Sequence, residues 1–349
     1  MKFQINQEEN KCIEYLMFPY LKFIDVDSEA FVSYKNKLKD VLADMEQIKV
    51  LLKPFTKEID RLLLPDINYQ NFYESLLNHV VENGYVVTDL EELFTFWETL
   101  PEEQLYQNFY EILSDEEQVN KNNFIQFLEQ CTDNPQIKWS WIIAHEDLKE
   151  HLHQAIALYR KISPLYTPFY KKYQKEVANV AKNFRLDETI HELEETFFTS
   201  VATAFEKLKK ENHQECFVRL LSPFFDEIIL LCKQNKKNSP IYFKINVRYQ
   251  STYHDISKLD EKRSIAILKT LSDENRYKVL KELVNGDLKS KEIAKKLKLT
   301  PANISFHTQK LINQQIIGLE QDKTKGSKYS LNKNMLNEVI SLIKKDLDL

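Results

Sequence analysis

The residues best suited to recognise a ligand lie in one short stretch near the C-terminus, just after Thr300 and Pro301. Read as a helix, this stretch has a face of short or flat side chains, namely Ala302, Asn303, Ser305, Phe306 and Gln309. Side chains of this size enter the major groove of duplex DNA, where amides and hydroxyls hydrogen-bond to base edges. The pattern favours contact with DNA. The alternative is a solvated helix face in a domain that docks a protein.

Lysines close to this face predict a second kind of contact, with phosphates. They are Lys295, Lys296, Lys298, Lys310, Lys323, Lys325 and Lys328. Any one of them is more often a solubilising charge than an essential contact, but together they form an electrostatic footprint. If about four to six of them bind phosphates, log affinity should fall against log salt with a slope of about −4 to −5.

The elements that would position these residues can also be read from the sequence. Thr300 can cap the helix and Pro301 suits its first position, while Ile304, His307 and Leu311 share the inner face. Two helices are predicted before it, over residues 274–284 and 291–297. The first is capped by Ser272 or Asp273 and stopped by Gly286.

A hairpin and a last helix are predicted after this stretch. Residues 316–321 and 327–331 form the two strands, and Gly326 permits the positive φ of the turn. Residues 334–347 form an amphipathic helix. Its apolar stripe includes Leu336, Val339, Ile340 and Ile343. Such a stripe needs a partner, and we expect a second copy of the chain to provide it.

The first 257 residues differ in charge and in glycine content. From Lys258 onward there are 19 Lys and Arg against 12 Asp and Glu, a net charge of +7, which leaves −12 on the rest. A basic end on an acidic body is typical of binding a polyanion at that end. The body has Gly84 alone, so it offers no P-loop and no G-x-G-x-x-G turn.

Helical periodicity predicts a helical array for this body, and the fold class is therefore mainly α. The helices are predicted over residues 28–52, 69–81, 89–99, 102–113, 116–131, 137–162, 165–183 and 187–208. Residues 241–249 are the only good strand candidate. The boundary is placed near Ser257, with residues 1–257 as a dimerisation or effector domain and 258–349 as a winged helix-turn-helix domain.

The body shows no grouping that predicts catalysis, a metal or a cofactor. The four cysteines are scattered, without a C-x-x-C pair. Glu146, Glu150 and His153 would share one face of a continuous helix and could hold a divalent ion, although a charged solvent face is the commoner interpretation. Trp139 and Trp141 are expected to anchor the core or a domain interface, or else to line a ligand pocket. We expect no enzyme.

The C-terminal quarter resembles the ArsR-type winged helix-turn-helix repressors. The likeness rests on the order of elements and on Leu271-Ser-Asp-Glu-Asn-Arg276, Ile304-Ser-Phe-His307 and Tyr329-Ser-Leu331. It covers residues 259–347. Metal-sensing members have a Cys-x-Cys pair where this chain has Lys289 and Lys291, and ammonium groups cannot ligate a soft cation. The resemblance therefore implies DNA binding without that metal site.

Two further departures concern helix ends. Gln315 stands where the family often has a glycine, and Lys289 stands at the usual Ser/Thr cap, with Ser290 one residue later.

Together these patterns predict a sequence-specific transcription regulator, a repressor that reads an inverted repeat in double-stranded DNA as a homodimer, with half-sites about one helical turn apart. The alternative is a protein-interaction adaptor that uses its winged domain without DNA. The large acidic body is expected to add dimer contacts or to sense an unknown small-molecule effector. Without a signal peptide or an apolar span, we expect a cytoplasmic protein with no membrane partner.

Overall fold

The computed structural model divides into two compact units. It describes residues 2–24, 38–67, 70–113, 118–132, 134–194, 199–210, 215–225, 228–232, 239–250, 261–285, 290–314, 316–322 and 326–349. The first unit contains residues 2–24, Leu38–Phe184 and Leu208–Arg248, and the second contains Arg185–Lys207 and Tyr249–Leu349. The predicted domain boundary near Ser257 lies outside the described residues and stays a prediction.

The first unit is mainly helical, as predicted. Its helices are α1 (Gln7–Met17), α2 (Lys39–Leu52), α3 (Thr56–Leu62), α4 (Phe72–Glu82), α5 (Leu90–Thr99), α6 (Glu102–Glu111), α7 (Phe124–Cys131), α8 (Pro135–Glu146) and α9 (Leu148–Asn183). Short 3-10 segments occupy Phe18–Phe23 and Lys53–Phe55. The predicted helix over residues 116–131 is shorter than expected, since α7 begins only at Phe124, and residues 28–37 lie outside the described part.

The long helix α9 corrects one prediction. A break was expected between residues 162 and 165, but α9 continues through Pro164 and Pro168. The break lies at Asp147 instead, whose side chain accepts a hydrogen bond from Glu150 N at 3.0 Å and so caps α9. A proline inside a helix costs about 3 kcal/mol. Burial of apolar and aromatic side chains along α9 offsets that cost; they include Ile162, Tyr166, Phe169, Tyr170 and Tyr173.

The break at Asp147 also separates the residues whose spacing suggested a metal site in the body. Glu146 ends α8, whereas Glu150 and His153 lie on α9. The three side chains therefore do not share a face of one continuous helix. Among the described residues there is no group of three or more His, Cys, Asp or Glu side chains that could hold a metal ion.

The body also contains a sheet that the sequence analysis missed. Its described strands are β1 (Lys2–Gln4), β2 (Glu215–Leu221), β3 (Ile228–Cys232) and β4 (Ile241–Asn246), in the order β1-β2-β4-β3. The pairs β1–β2 and β2–β4 are parallel, and β3 is antiparallel to β4. Only β4 had been predicted, so the statement that residues 241–249 are the only strand candidate was wrong.

Two cations on this sheet are buried together with two carboxylates. Arg219 and Lys244 are paired across β2 and β4, and they are 0% and 3% exposed. Arg219 contacts Glu9 of α1 at 2.7 Å and Glu74 of α4 at 3.1 Å, and Lys244 contacts Glu74 at 2.8 Å. Burial alone would raise the pKa of Glu74, but Lys244 and Arg219 hold it below its ordinary value. We name these four residues the buried ionic cluster.

A further carboxyl lies near this sheet without joining the cluster. Glu14 is 1% exposed and accepts hydrogen bonds from Tyr166 Oη at 2.7 Å and from Ser222 N at 2.6 Å. Burial raises the pKa of Glu14 to about 7, although both hydrogen bonds oppose the shift. The folded body therefore favours the protonated carboxyl.

The two tryptophans of α8 have different environments. Trp141 is fully buried, and its Nε1 donates to the carbonyl of Pro65 at 3.1 Å. It is a core anchor, as predicted. Trp139, in contrast, is 64% exposed and is not a core residue. The helical periodicity around these residues gave no sign of this difference.

The second unit contains the predicted C-terminal elements. They are α13 (Glu274–Asn285), α14 (Ser290–Leu297), α15 (Pro301–Asn313), β5 (Ile317–Asp322), β6 (Gly326–Leu331) and α16 (Lys333–Asp346), and they follow α12 (Glu261–Leu271), which was not predicted. It also holds α10 (Leu186–Glu194), where Glu192 accepts a hydrogen bond from the Tyr249 hydroxyl at 3.0 Å. Most of α11 (Thr199–Lys210) belongs to the second unit and its end from Leu208 to the first, and the predicted continuity over residues 195–198 lies outside the described residues.

The core of the C-terminal elements is aliphatic. Its centre consists of fully buried Ile267, Val279, Ile293, Ile304, Leu311, Ile316 and Ile317. One of these residues comes from each of α12, α13 and α14, two come from α15, and Ile316 and Ile317 lie at the start of the hairpin. Because each helix contributes its apolar stripe to one core, the orientation of α15 is set by packing from several sides.

Candidate nucleic-acid interface

The turn between α14 and α15 is defined by its backbone. Lys298 has φ of 55°, in the left-handed region that usually favours glycine. Leu299 N donates to the carbonyl of Ala294 at 2.9 Å, which closes the C-terminus of α14. Thr300 Oγ1 then accepts from Asn303 N at 3.1 Å. Thr300 therefore caps α15 and Pro301 is its first residue, as the sequence predicts.

The inner face of α15 is fixed in the domain core. Ile304 and Leu311 are fully buried, while His307 is 9% and Thr308 6% exposed. The shared face of Ile304, His307 and Leu311 is therefore confirmed. Thr308 was not predicted on this face, although its spacing of four residues from Ile304 could have indicated it.

The opposite face of α15 is open to solvent where it is described. Asn303 is exposed and Phe306 is 56% exposed. Lys310 is half-buried, and its Nζ lies 5.9 Å from the centre of the Phe306 ring. Ala302, Ser305 and Gln309 are on the same helix, but their side chains lie outside the described part. An uncharged amide and an aromatic ring thus project outward with an ammonium group beside them.

His307 connects α15 to the start of α13. Its Nδ1 lies 3.9 Å from Asp273 Oδ1. The same oxygen of Asp273 accepts from Arg276 N at 2.7 Å, so Asp273, rather than Ser272, caps α13. Arg276 Nη1 in turn donates to the carbonyl of Thr270 at 3.1 Å. Asp273 and Arg276 belong to a motif that indicated the family, but the contact of Asp273 with His307 of α15 was not predicted.

The hairpin after α15 has the predicted antiparallel pairing. Its register runs from Ile317 opposite Leu331 to Asp322 opposite Gly326. Lys328 lies on β6 opposite Glu320, but its side chain is outside the described part. Lys323 and Lys325 lie wholly outside the described residues. Their predicted contacts with phosphates stay predictions.

Exposed cations surround the described part of the turn. Lys295, Lys296 and Lys298 are exposed. Lys296 pairs with Glu282 at 2.6 Å, on the surface. Such exposed pairs contribute little to stability and exchange readily for another anion. The predicted electrostatic footprint therefore includes solvent-exposed lysines close to the start of α15.

The family model described as "Bacterial regulatory protein, arsR family" matches residues 273–317, which run from the cap of α13 into β5. The C-terminal segment is an ArsR-type helix-turn-helix domain. This match agrees with the resemblance found in the sequence, and DNA-binding transcription regulation is the activity that such a domain supports. No curated protein and no solved structure matches the chain.

The last helix of the ArsR-type domain, α16, buries much of its apolar stripe in the core of the same domain. Val339 is 2% exposed in the domain core, and Leu336 and Ile343 are partly buried against the same core. Ile340 is 51% exposed. Most of the stripe is therefore covered by its own chain, and Ile340 is the predicted dimer residue that is open to a partner.

The ArsR-type domain departs from metal-sensing relatives at Lys289 and Lys291. Lys289 lies outside the described residues, and so does the side chain of Lys291, so the structure adds nothing to that prediction. Within the described part of the chain, no helix is long and apolar enough to cross a membrane.

Proposed function

We propose that the chain is a sequence-specific repressor that reads an inverted repeat in double-stranded DNA as a homodimer. The observation that carries the proposal is the geometry of α15. Its inner residues Ile304 and Leu311 are fully buried, and its outer residues Asn303 and Phe306 face solvent. A helix held this way presents a constant set of side chains to the major groove. The proposal assigns no catalytic step to the chain.

Each outward group has a defined part in this proposal. The amide of Asn303 pairs with a base edge, for which adenine N6 and N7 are the geometric match. Phe306 offers an apolar surface to a thymine methyl group. Lys298 and Lys310, with the wing lysines, bind phosphates and fix the register of the helix on the duplex.

Exposed apolar residues support the homodimer. On α16, Ile340 is 51% exposed, and on α12, Ile265 and Leu268 are 43% and 39% exposed. Large aliphatic side chains in solvent favour burial against a partner. Two copies related by a two-fold axis would present their α15 helices to two half-sites of an inverted repeat.

The test is substitution of Asn303 by Ala in the full-length chain. Loss of a base contact should weaken binding to the preferred duplex by about 1–3 kcal/mol. Binding to random duplex should stay unchanged, because Asn303 contributes to sequence recognition. Both affinities are measured by fluorescence anisotropy at one salt concentration.

Asn337→Ala is the matched control, since Asn337 is an exposed asparagine on α16 of the same domain. It should bind DNA like the unaltered chain. If the Asn303 variant keeps full affinity and specificity, α15 does not read bases. If the unaltered chain binds no duplex at all, the adaptor hypothesis replaces this proposal.

A further inference from the structure

A cavity of about 350 Å³ lies in the first unit. Residues of α1, the start of α5 and the middle of α9 line it. This volume is at the small end of known ligand pockets. It is large enough for a solute the size of an amino acid or a dipeptide.

The α9 wall of the cavity offers polar groups without partners. Ser163 is 8% exposed, and its Oγ has no hydrogen-bond partner among the described residues. Pro164 has no N–H, so the carbonyl of Arg160, four residues earlier, loses its usual intrahelical donor. A buried hydroxyl without a partner indicates that a polar group is missing from the site.

The charges around the cavity have both signs. Arg160 pairs with Glu91 and Glu98 at 3.0 Å each, so its own charge is compensated and these three side chains together carry a net charge of −1. Among the described residues, the Lys11 ammonium contacts Glu8, at a long distance of 3.4 Å. Asp89 uses Oδ1 to cap α5 through Glu92 N at 2.9 Å, which leaves Oδ2 as an acceptor. In the described part of the chain, the lining therefore offers the Lys11 ammonium and Asp89 Oδ2 to a ligand.

The rest of the lining is suited to an apolar group. Leu90, Pro164 and the ring of Tyr15 contribute apolar surface. The Tyr15 hydroxyl is already engaged, since it donates to Thr167 Oγ1 at 3.0 Å. Cys12 is 1% exposed and burial raises the pKa of its thiol to about 12, so it forms part of the wall and does not act as a nucleophile.

We propose that this cavity binds a zwitterionic amino acid or dipeptide with an apolar side chain. Its carboxylate would pair with Lys11. Its ammonium would bind Asp89 and the carbonyl of Arg160, and Ser163 would gain a hydrogen-bond partner. The apolar side chain would lie against Leu90 and Pro164. This assignment goes beyond DNA binding and does not depend on it, because binding is measured without DNA.

The test is isothermal titration of the full-length chain with L-leucine and with L-leucyl-L-leucine. At least one of them should bind saturably with a Kd below about 1 mM. N-acetyl-L-leucine amide has the same side chain without charges and should not bind. If neither zwitterion binds, or if the neutral compound binds equally well, the proposal is overturned.

Two variants locate the bound probe. Lys11→Gln and Asp89→Asn should each weaken binding by about tenfold, since each removes a charge-assisted hydrogen bond. Asparagine also caps helices, so the second variant keeps the start of α5. Lys49→Gln is the control, because Lys49 forms the same kind of pair with Glu46, at 2.7 Å, outside the cavity. Unchanged affinity in both cavity variants would contradict the site.

Discussion

The two units of the chain use charge in opposite ways. In the body, the buried ionic cluster of Arg219, Glu9, Glu74 and Lys244 is at most 3% exposed. In the ArsR-type domain the core is aliphatic, and lysines such as Lys298 lie in solvent. Charges of the first kind are neutralised inside the protein. Charges of the second kind are available to an anionic partner.

The net charge of −5 is itself divided unevenly, with −12 before Lys258 and +7 from Lys258 onward. Buried ion pairs require every partner, because an orphaned charge loses hydration without compensation. Exposed lysines have no such requirement and keep their charge for a phosphate. The contrast predicts that substitutions in the buried ionic cluster change the free energy of unfolding strongly. Substitutions on the surface of the ArsR-type domain should change it little.

The largest effect is expected from Arg219→Ala. It leaves Glu9 without its cation and removes one of two cations from Glu74. Breaking a buried ion pair in this way costs about 3–5 kcal/mol. Urea unfolding followed by tryptophan fluorescence measures it in the body alone, because all three tryptophans lie in the first 257 residues.

Arg160→Ala is the control for that variant. Arg160 also bridges two glutamates, Glu91 and Glu98, but its side chain is 40% exposed. Its loss should change the free energy of unfolding by less than about 1 kcal/mol. If both variants changed the free energy of unfolding equally, buried and exposed ion pairs would not differ in their contribution to stability.

The next effect concerns Glu14, whose pKa is raised to about 7 by burial. Between pH 4.5 and 7 the unfolded chain loses this proton while the folded body keeps it, so this contribution to stability is lost as pH rises. The loss is on the order of 3 kcal/mol. Glu14→Gln should abolish it, because the amide does not ionise, while its oxygen can accept from Ser222 N and its NH2 can donate to Tyr166 Oη.

The measurement is the difference in unfolding free energy between the unaltered chain and Glu14→Gln across this pH range. Taking the difference removes the contribution of His151, which both proteins share. Burial lowers the pKa of His151 to about 4, so its contribution to stability has the opposite pH dependence. A difference that is constant with pH would show that Glu14 is ionised in the folded body.

The smallest effect is expected from Asp273→Ala in the ArsR-type domain. Removing the cap of α13 costs about 1 kcal/mol, whereas Asp273→Asn should retain the cap. Amide hydrogen exchange over the first turn of α13 should quicken about fivefold in the Ala variant only. Equal exchange in both variants would mean that the hydrogen bond to Arg276 N does not cap the helix.

Local signals made the ArsR-type domain predictable. Thr300 and Pro301 marked the start of α15, and Gly326 stands where β6 begins. Each signal acts within a few residues of the structure it specifies, so a single sequence contains it. The cap at Asp147 was a signal of the same kind, with Glu150 three residues later, and it outweighs Pro164 in setting where α9 begins.

The sheet of the body could not be predicted in this way. β1 is three residues long and pairs with β2 more than 200 residues later. Arg219 and Lys244 are charged and therefore interrupt the apolar pattern of β2 and β4. Their burial depends on Glu9 and Glu74, which come from distant helices. The outer face of α15 was predictable in composition, but its orientation depends on packing of His307 and Thr308.

Selection of bound sequences from random duplex DNA by the full-length chain tests the central claim most directly. A dimer that reads DNA through α15 should enrich an inverted repeat whose half-sites are about one helical turn apart. Recovery of duplexes with no shared sequence would contradict specific reading by the ArsR-type domain.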